Sequence, residues 1–199
     1  HYYENPRPDD LIPSVYALSR TGYFESVGQP AVALGFLATV FAQNPQKVSY
    51  WLAQTSALPL QHRRILAAAA WKSGHVAGAR LMQEMSASFD RDLHGEVHQL
   101  LVSGSEPVLN TPVVSSSSMN FQWGAFLASG DERCIVNVLT ALGSEQPGLA
   151  TSARFALAQN AAAHPRVLEI CRVQLDKQPE SIRAELKAAL NQAATKPGA

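Results

Sequence analysis

The stretch over residues 121–142 constrains the fold of this chain most, because it has the pattern of two amphipathic helices joined by a turn. Apolar residues recur at spacings of three and four on both sides of Ser129-Gly130-Asp131. Gly130 is suited to end the first helix, since glycine tolerates a left-handed backbone. Asp131 is suited to start the second helix by accepting from free backbone N–H groups. The predicted building unit is therefore a helical hairpin.

The same helical periodicity runs through the rest of the chain, and no segment shows the period-two alternation of a strand. We therefore predict an all-α fold of stacked helical hairpins, either an α-helical repeat or an α-α superhelix bundle. The segment 30–43 is apolar on nearly all sides, which is typical of a buried helix. Further helices are predicted at 11–19, 45–54, 61–72, 75–85, 86–101, 150–164, 165–175 and 179–194. In the alanine-rich helix at 150–164, Phe155 and Leu157 are predicted to face inward.

Composition along the chain predicts a short arm followed by one domain. Residues 1–10 are predicted to form an extended N-terminal arm, because Pro6 and Pro8 disfavour helix in the residues before them. Residues 11–195 are predicted to form a single all-α domain. Its halves, about 11–102 and 118–195, are joined by a Ser- and Pro-containing loop at 103–117.

Matching positions in the two halves indicate an internal duplication. The pairs Gly35/Gly124 and His75/His164 are both separated by 89 positions. The segment 63–70 also resembles 154–161. Alanine-rich helices match easily by chance, so a plain helical bundle without duplication stays open as the alternative.

The charge balance excludes some classes of partner. Lys plus Arg number 16 and Asp plus Glu number 16, so the chain lacks the basic excess of a nucleic-acid binder. No apolar run reaches the roughly 18 residues of a membrane span, so membrane insertion is not expected. The low charged fraction and the start at His1, which would fit a removed signal peptide, predict a periplasmic or secreted protein.

Short segments also resemble a family of exported bacterial α-helical proteins. They are Asn5-Pro6-Arg7-Pro8 with Leu11-Ile12-Pro13, the segment 35–42, and Trp123-Gly124-Ala125-Phe126 with Gly130-Asp131. The resemblance implies an exported all-α protein, and it carries no activity.

His94 and His98 form the best candidate metal site. Two histidines four positions apart share a helix face and can reach one zinc ion. The third ligand would be His62, Asp90 or Asp92, and the spacing selects none of them. The alternative interpretation is two surface histidines, and no cofactor is predicted. Loops typical of phosphate or dinucleotide binding and the nucleophile elbow of hydrolases are absent from the sequence.

Four residues are candidates for binding a protein or peptide partner: Arg63, Arg64, Arg154 and Trp123. The arginines precede apolar helices and would bind a carboxylate or phosphate, unless they pair with nearby acids. The alternative interpretation of Trp123, as of Trp51 and Trp71, is a buried position in the core. The predicted function is a non-enzymatic interaction or scaffold domain, with a homo-oligomer left open. A metal-dependent hydrolase using His94 and His98 is the alternative.

Several other residues are given structural interpretations with functional alternatives. Cys134 and Cys171 lie among apolar residues and are interpreted as buried, with a disulfide as the alternative. His75 and His164 are interpreted as hydrogen-bonding groups at helix ends, with paired site residues as the alternative. Asp131 and Glu132 fit a helix start. The serines at 115–118 are interpreted as loop.

Overall fold

The computed structural model describes residues 2–86 and 106–194, and these ranges contain ten α-helices and no strand. The predicted all-α class is confirmed. The helices are α1 Leu11–Arg20, α2 Gln29–Gln43, α3 Pro45–Gln54, α4 Leu60–Lys72, α5 Val76–Ser86, α6 Ser116–Ser129, α7 Glu132–Thr140, α8 Pro147–Ala163, α9 Pro165–Gln174 and α10 Glu180–Ala194. Short 3-10 turns are Tyr2–Glu4, Pro8–Asp10, Tyr23–Glu25, Val108–Asn110 and Ala141–Gly143.

The centre of the fold is the close crossing of α2 and α6. Gly35 on α2 lies against the backbone carbonyl of Phe121 on α6. Gly124 on α6 lies in the same way against the backbone carbonyl of Val32 on α2. A Cβ atom at either glycine would overlap the backbone of the other helix. The two helices therefore approach each other as closely as they do because both positions lack a side chain.

Helix α2 is buried on several sides, as its apolar sequence predicts. Its Phe41 is fully buried and stacks on Trp51 of α3, with 5.6 Å between ring centroids. Trp51 and Trp71 are also buried, so the core interpretation of these tryptophans is confirmed. One large apolar core thus connects both halves of the described chain, and Trp71 lies in a smaller apolar cluster with Ala67 and Met82.

The turn between α6 and α7 follows the predicted geometry. Gly130 has a left-handed backbone with φ of 66°, and its N–H donates to the Phe126 carbonyl at 2.7 Å. The Asp131 carboxylate accepts from the Arg133 N–H at 2.9 Å and caps α7. The Arg133 guanidinium also bonds this carboxylate and lowers the pKa of Asp131. The capping role predicted for Asp131 is confirmed.

Helix α6 begins at Ser116, so the serine run is not a loop. Ser115 accepts from the Ser118 N–H at 3.1 Å, and the Ser118 hydroxyl in turn accepts from the Ser115 N–H at 2.9 Å. This reciprocal pair satisfies two of the free N–H groups at the helix start. The prediction of a loop through residue 117 was therefore wrong at its end, because consecutive serines can cap a helix as readily as they form a loop.

The N-terminal arm packs on the body in two 3-10 turns and is less extended than the prolines predict. The Tyr2 ring lies against Phe36 of α2, with centroids 5.2 Å apart. The Tyr3 ring lies against Phe126 of α6, with centroids 5.7 Å apart. The arm therefore covers one end of the α2–α6 crossing.

Phe155 of α8 was predicted to point inward, and this was wrong. Its side chain is 50% exposed, whereas Leu157 is buried. The inner face of α8 is formed by Leu149, Ala153, Leu157 and Ala161, which recur every four residues. Phe155 falls midway between Ala153 and Leu157 and so faces away from the core.

Some predicted segments lie outside the described residues. They are most of the helix predicted at 86–101, with His94 and His98, and the loop residues before 106. Among the helices that are described, none has both the length and the apolar character that a membrane crossing requires.

Candidate functional site

An apolar pocket of about 250 Å³ lies beside the N-terminal arm. It lies between α1, the turn Tyr23–Glu25 and α2, and it is closed by the arm and by one side chain of α6. We call it the N-terminal pocket. Its lining is Tyr2, Leu11, Ser14, Val15, Leu18, Tyr23, Phe24, Val32, Ala33, Phe36, Leu37 and Leu127.

The helical period explains why these side chains meet at the pocket. Leu11, Val15 and Leu18 recur at spacings of four and three, so they share one face of α1. Ala33 and Leu37 are related in the same way on α2. The small side chain of Ala33 leaves a space between the two faces, and the aromatic rings of the arm and the turn enclose it.

One residue that lines the pocket carries a polar group without a partner. The Tyr2 hydroxyl is buried and makes no hydrogen bond within the described part of the chain. Burial raises the pKa of Tyr2, and the negative charge of Asp9 adds to the shift. The hydroxyl therefore stays protonated at neutral pH and is available to donate a hydrogen bond.

A chain of three polar side chains, which we call the Ser19 relay, contacts the pocket residue Phe24 through His62, but none of the three lines the pocket. Ser19 Oγ lies 2.8 Å from His62 Nδ1, and His62 Nε2 lies 2.6 Å from Glu25 Oε1. His62 on α4 is only 2% exposed, while Glu25 is half exposed. The His62 ring also contacts the Phe24 ring, with centroids 5.0 Å apart. The relay thus connects the end of α1, the Tyr23–Glu25 turn and α4.

This arrangement occupies both ring nitrogens of His62, which the sequence offered as a third metal ligand. No group of three His, Cys, Asp or Glu side chains within residues 2–86 and 106–194 is placed to hold a metal ion. His94 and His98, with Asp90 and Asp92, lie outside the described residues. The predicted metal site is therefore not described by the structure.

The predicted partner-binding residues are not gathered at one place. Arg63 and Arg64 lie half-buried on α4, and neither lines the N-terminal pocket. Arg154 of α8 forms an ion pair with Glu185 of α10 at 3.0 Å. Trp123 is 5% exposed and packs edge-on against Phe126, so its ring lies in the core. In this conformation Trp123 presents almost no surface to a partner.

His75 and His164 sit at the starts of α5 and α9. His75 Nδ1 accepts from the Ala77 N–H at 3.2 Å, which confirms the predicted hydrogen bonding at this helix end. The His164 N–H donates to the Asn160 carbonyl at 2.8 Å, and burial lowers the pKa of its ring. Neither histidine lines the N-terminal pocket.

Cys134 and Cys171 are unbonded and fully buried, which confirms their interpretation as apolar core residues. Burial raises the pKa of both thiols from the ordinary 9.0 to about 12. We expect neither thiol to react with Ellman's reagent at pH 8 in the native protein, because both are neutral and inaccessible. Both are expected to react in urea without prior reduction. Reaction in urea only after reduction would contradict this and indicate a disulfide.

The same shifts predict the pH dependence of stability. A thiol with a raised pKa in the folded state favours folding below pH 9, and that contribution is lost as the pH rises from 9 towards 12. Urea unfolding at pH 8 and pH 10 measures the loss. The double variant Cys134→Ala/Cys171→Ala is the control, because it should lose less stability than the wild type over this interval.

Comparison with known proteins gives no relative: no family model, curated protein or solved structure matches the chain. The site is therefore interpreted from its own geometry. The apolar pattern of α1 indicates Val15 and Leu18 as inward-facing residues, but nothing in the local sequence indicates Ser19 or Glu25. The sequence signal that could have indicated the relay is the position of His62. It lies four residues before the buried Leu66, and so on the inner face of α4.

Proposed function

We propose that this protein is an α-helical interaction domain that binds a protein or peptide through the N-terminal pocket. The observation that carries the proposal is an apolar cavity of about 250 Å³ that remains open beside a well-packed core. Apolar cavities of about 150 Å³ accommodate a benzene ring. The N-terminal pocket therefore has room for one aromatic or leucine-sized anchor residue of a partner.

The unpartnered Tyr2 hydroxyl favours a peptide over a pure hydrocarbon as the occupant. A buried donor without an acceptor costs free energy, and a ligand that supplies the acceptor regains it. The backbone carbonyl beside an anchor side chain is such an acceptor. Tyrosines at the pocket edge also match the composition of protein interfaces, where aromatic residues are enriched.

The duplication and the compartment remain proposals with different support. Gly35 and Gly124, 89 positions apart, make reciprocal contacts with each other's helices. The order α2, α3, α4, α5 is followed by α6, α7, α8, α9 with similar lengths. Both observations favour two related halves in a repeat-like arrangement.

Export to the periplasm or medium is proposed from composition alone.

Peptides selected from a phage-displayed library against the intact protein provide the test. We expect selected peptides to carry a large apolar anchor and to lose at least tenfold in affinity on Ser14→Trp, because the indole would occupy the pocket mouth. Tyr2→Phe should weaken binding by about fivefold, since it removes one hydrogen bond worth about 1 kcal/mol. Calorimetric titration of each variant measures these affinities.

Ser49→Trp is the matched control, because Ser49 is also an exposed helical serine and does not line the N-terminal pocket. It should bind the peptides as the wild type does. If Ser14→Trp and the wild type bind equally well, the pocket is not the binding site. The alternative hydrolase depends on His94 and His98, which lie outside the described residues, so it stays a prediction from the sequence.

A further inference from the structure

We propose that Ser19 is a nucleophile activated by His62 and Glu25, which accepts the acyl group of a small ester. This activity is separate from peptide binding and depends on the Ser19 relay alone. Serine, histidine and a carboxylate in hydrogen-bonded series are the arrangement by which proteins make a serine hydroxyl reactive. The order of these groups in the chain carries no weight, because such relays are recognised by geometry. Here the serine lies at Nδ1 and the carboxylate at Nε2 of the histidine, the reverse of the Ser-His-Asp template.

The proton positions follow from the chemistry of the three groups. An ionised Glu25 carboxylate only accepts hydrogen bonds, so His62 Nε2, 2.6 Å away, carries the hydrogen. In the neutral ring Nδ1 then has the free lone pair. With His62 in this tautomer, the Ser19 hydroxyl, 2.8 Å from Nδ1, can donate to that lone pair. This is the direction of donation that a general base requires.

The surroundings of the relay suit such a reaction. His62 is almost completely buried, so water competes little for its ring nitrogens. Ser19 is half-buried and stands one helical turn after Val15, on the same face of α1, and Val15 lines the N-terminal pocket. Phe24 lines the pocket and also contacts the His62 ring. The relay is therefore adjacent to the N-terminal pocket, although none of its three residues lines that pocket.

The proposed step balances without any added oxidant or metal. The Ser19 oxygen attacks the ester carbonyl carbon while its proton passes to His62, and Glu25 stabilises the imidazolium. The carbon–oxygen bond to the leaving alcohol breaks, and the alcohol takes the proton from His62. The product is a Ser19 acyl ester, and water attacking it with His62 as base regenerates the serine.

A purely structural relay is the competing account, because the same hydrogen bonds hold α1, the Tyr23–Glu25 turn and α4 together. Structure alone requires no proton transfer. A structural relay would leave Ser19 as unreactive as any other serine in the chain. Covalent labelling of Ser19 therefore separates the two accounts, whereas a stability measurement would not.

The experiment uses an alkyl fluorophosphonate probe, in which the serine oxygen bonds to phosphorus and fluoride leaves. Incubation with the intact protein is followed by peptide mass spectrometry, and hydrolysis of 4-nitrophenyl butyrate is a second readout. We expect an adduct on Ser19 that is absent in Ser19→Ala. Labelling should slow by at least about a hundredfold in His62→Gln and about tenfold in Glu25→Gln.

Ser49→Ala is the control and should be labelled at Ser19 as fast as the wild type. Circular dichroism shows which variants are folded, and Glu25→Gln decides the outcome if His62→Gln unfolds. The proposal is overturned if the folded wild type gains no adduct on Ser19, or if Glu25→Gln reacts as fast as the wild type. Peptide binding by Ser19→Ala should be unchanged, so this result and that of the pocket test are independent.

Discussion

Replacing Gly124 with alanine is expected to lower the free energy of unfolding by about 3 kcal/mol or more, the upper end of what overpacking costs. The added Cβ would overlap the Val32 carbonyl oxygen and crowd the Phe36 backbone nitrogen. Both obstacles are backbone atoms of α2, so no side-chain rotation relieves the overlap. The two helices would have to separate, and the core on both sides would loosen.

Urea unfolding followed by circular dichroism measures this loss. Gly35→Ala should be similarly destabilised, because its Cβ would overlap the Phe121 carbonyl. Gly148→Ala in the first turn of α8 is the matched control, since its Cβ would meet nothing within 4 Å. Its free energy of unfolding should rise by about 0.5 kcal/mol, because alanine has a better helix propensity than glycine. Equal stability of Gly124→Ala and the wild type would contradict the close crossing.

Phe126→Ala is the substitution with the next largest expected effect, a loss of about 4 kcal/mol in unfolding free energy. Phe126 is 1% exposed and contacts both Tyr3 of the arm and Trp123 of its own helix. Its removal leaves a cavity between helices that are already fixed by the Gly35–Gly124 crossing. That site has little freedom to collapse, which places the cost towards the high end for a large-to-small change.

Phe155→Ala serves as the control for the loss of a phenyl ring. Its side chain is 50% exposed on the outer face of α8, so we expect a loss of about 1 kcal/mol in unfolding free energy, well below that of Phe126→Ala. Chemical denaturation of both variants under the same conditions gives the comparison. If both substitutions lower the unfolding free energy by the same amount, the inner face assigned to α6 would be wrong.

Local features of the sequence were enough to predict most of the helices. Proline fixes the starts of α3 and α9, and Gly130 fixes the end of α6. These signals depend only on residues within one helical turn, so they can be recognised from the sequence alone. The exposed side of Phe155 was mispredicted, because an alanine-rich helix has no strong apolar stripe and only its packing partners decide which face is buried.

The pocket and the relay could not be predicted for a related reason. Ser19 and His62 are 43 positions apart, and Glu25 and His62 are 37 apart. Nothing in the local pattern of α1 or α4 relates them, since each residue taken alone resembles an ordinary polar position. Their contact exists because α4 packs on α2, and the Tyr23–Glu25 turn packs on both α1 and α2. Sites assembled across helices in this way require the tertiary structure before they are visible.

The crossing of α2 and α6 also has a consequence for synthesis on the ribosome. Gly28 and Asn120, which are hydrogen-bonded at one end of the crossing, are 92 positions apart in the chain. At 5–20 residues per second, roughly 5 to 20 s separate the appearance of the two residues. During this interval the nascent α2 segment lacks the surface that finally covers it. We therefore expect a translating chain stalled before residue 116 to recruit holdase chaperones, and one released after residue 129 to escape them.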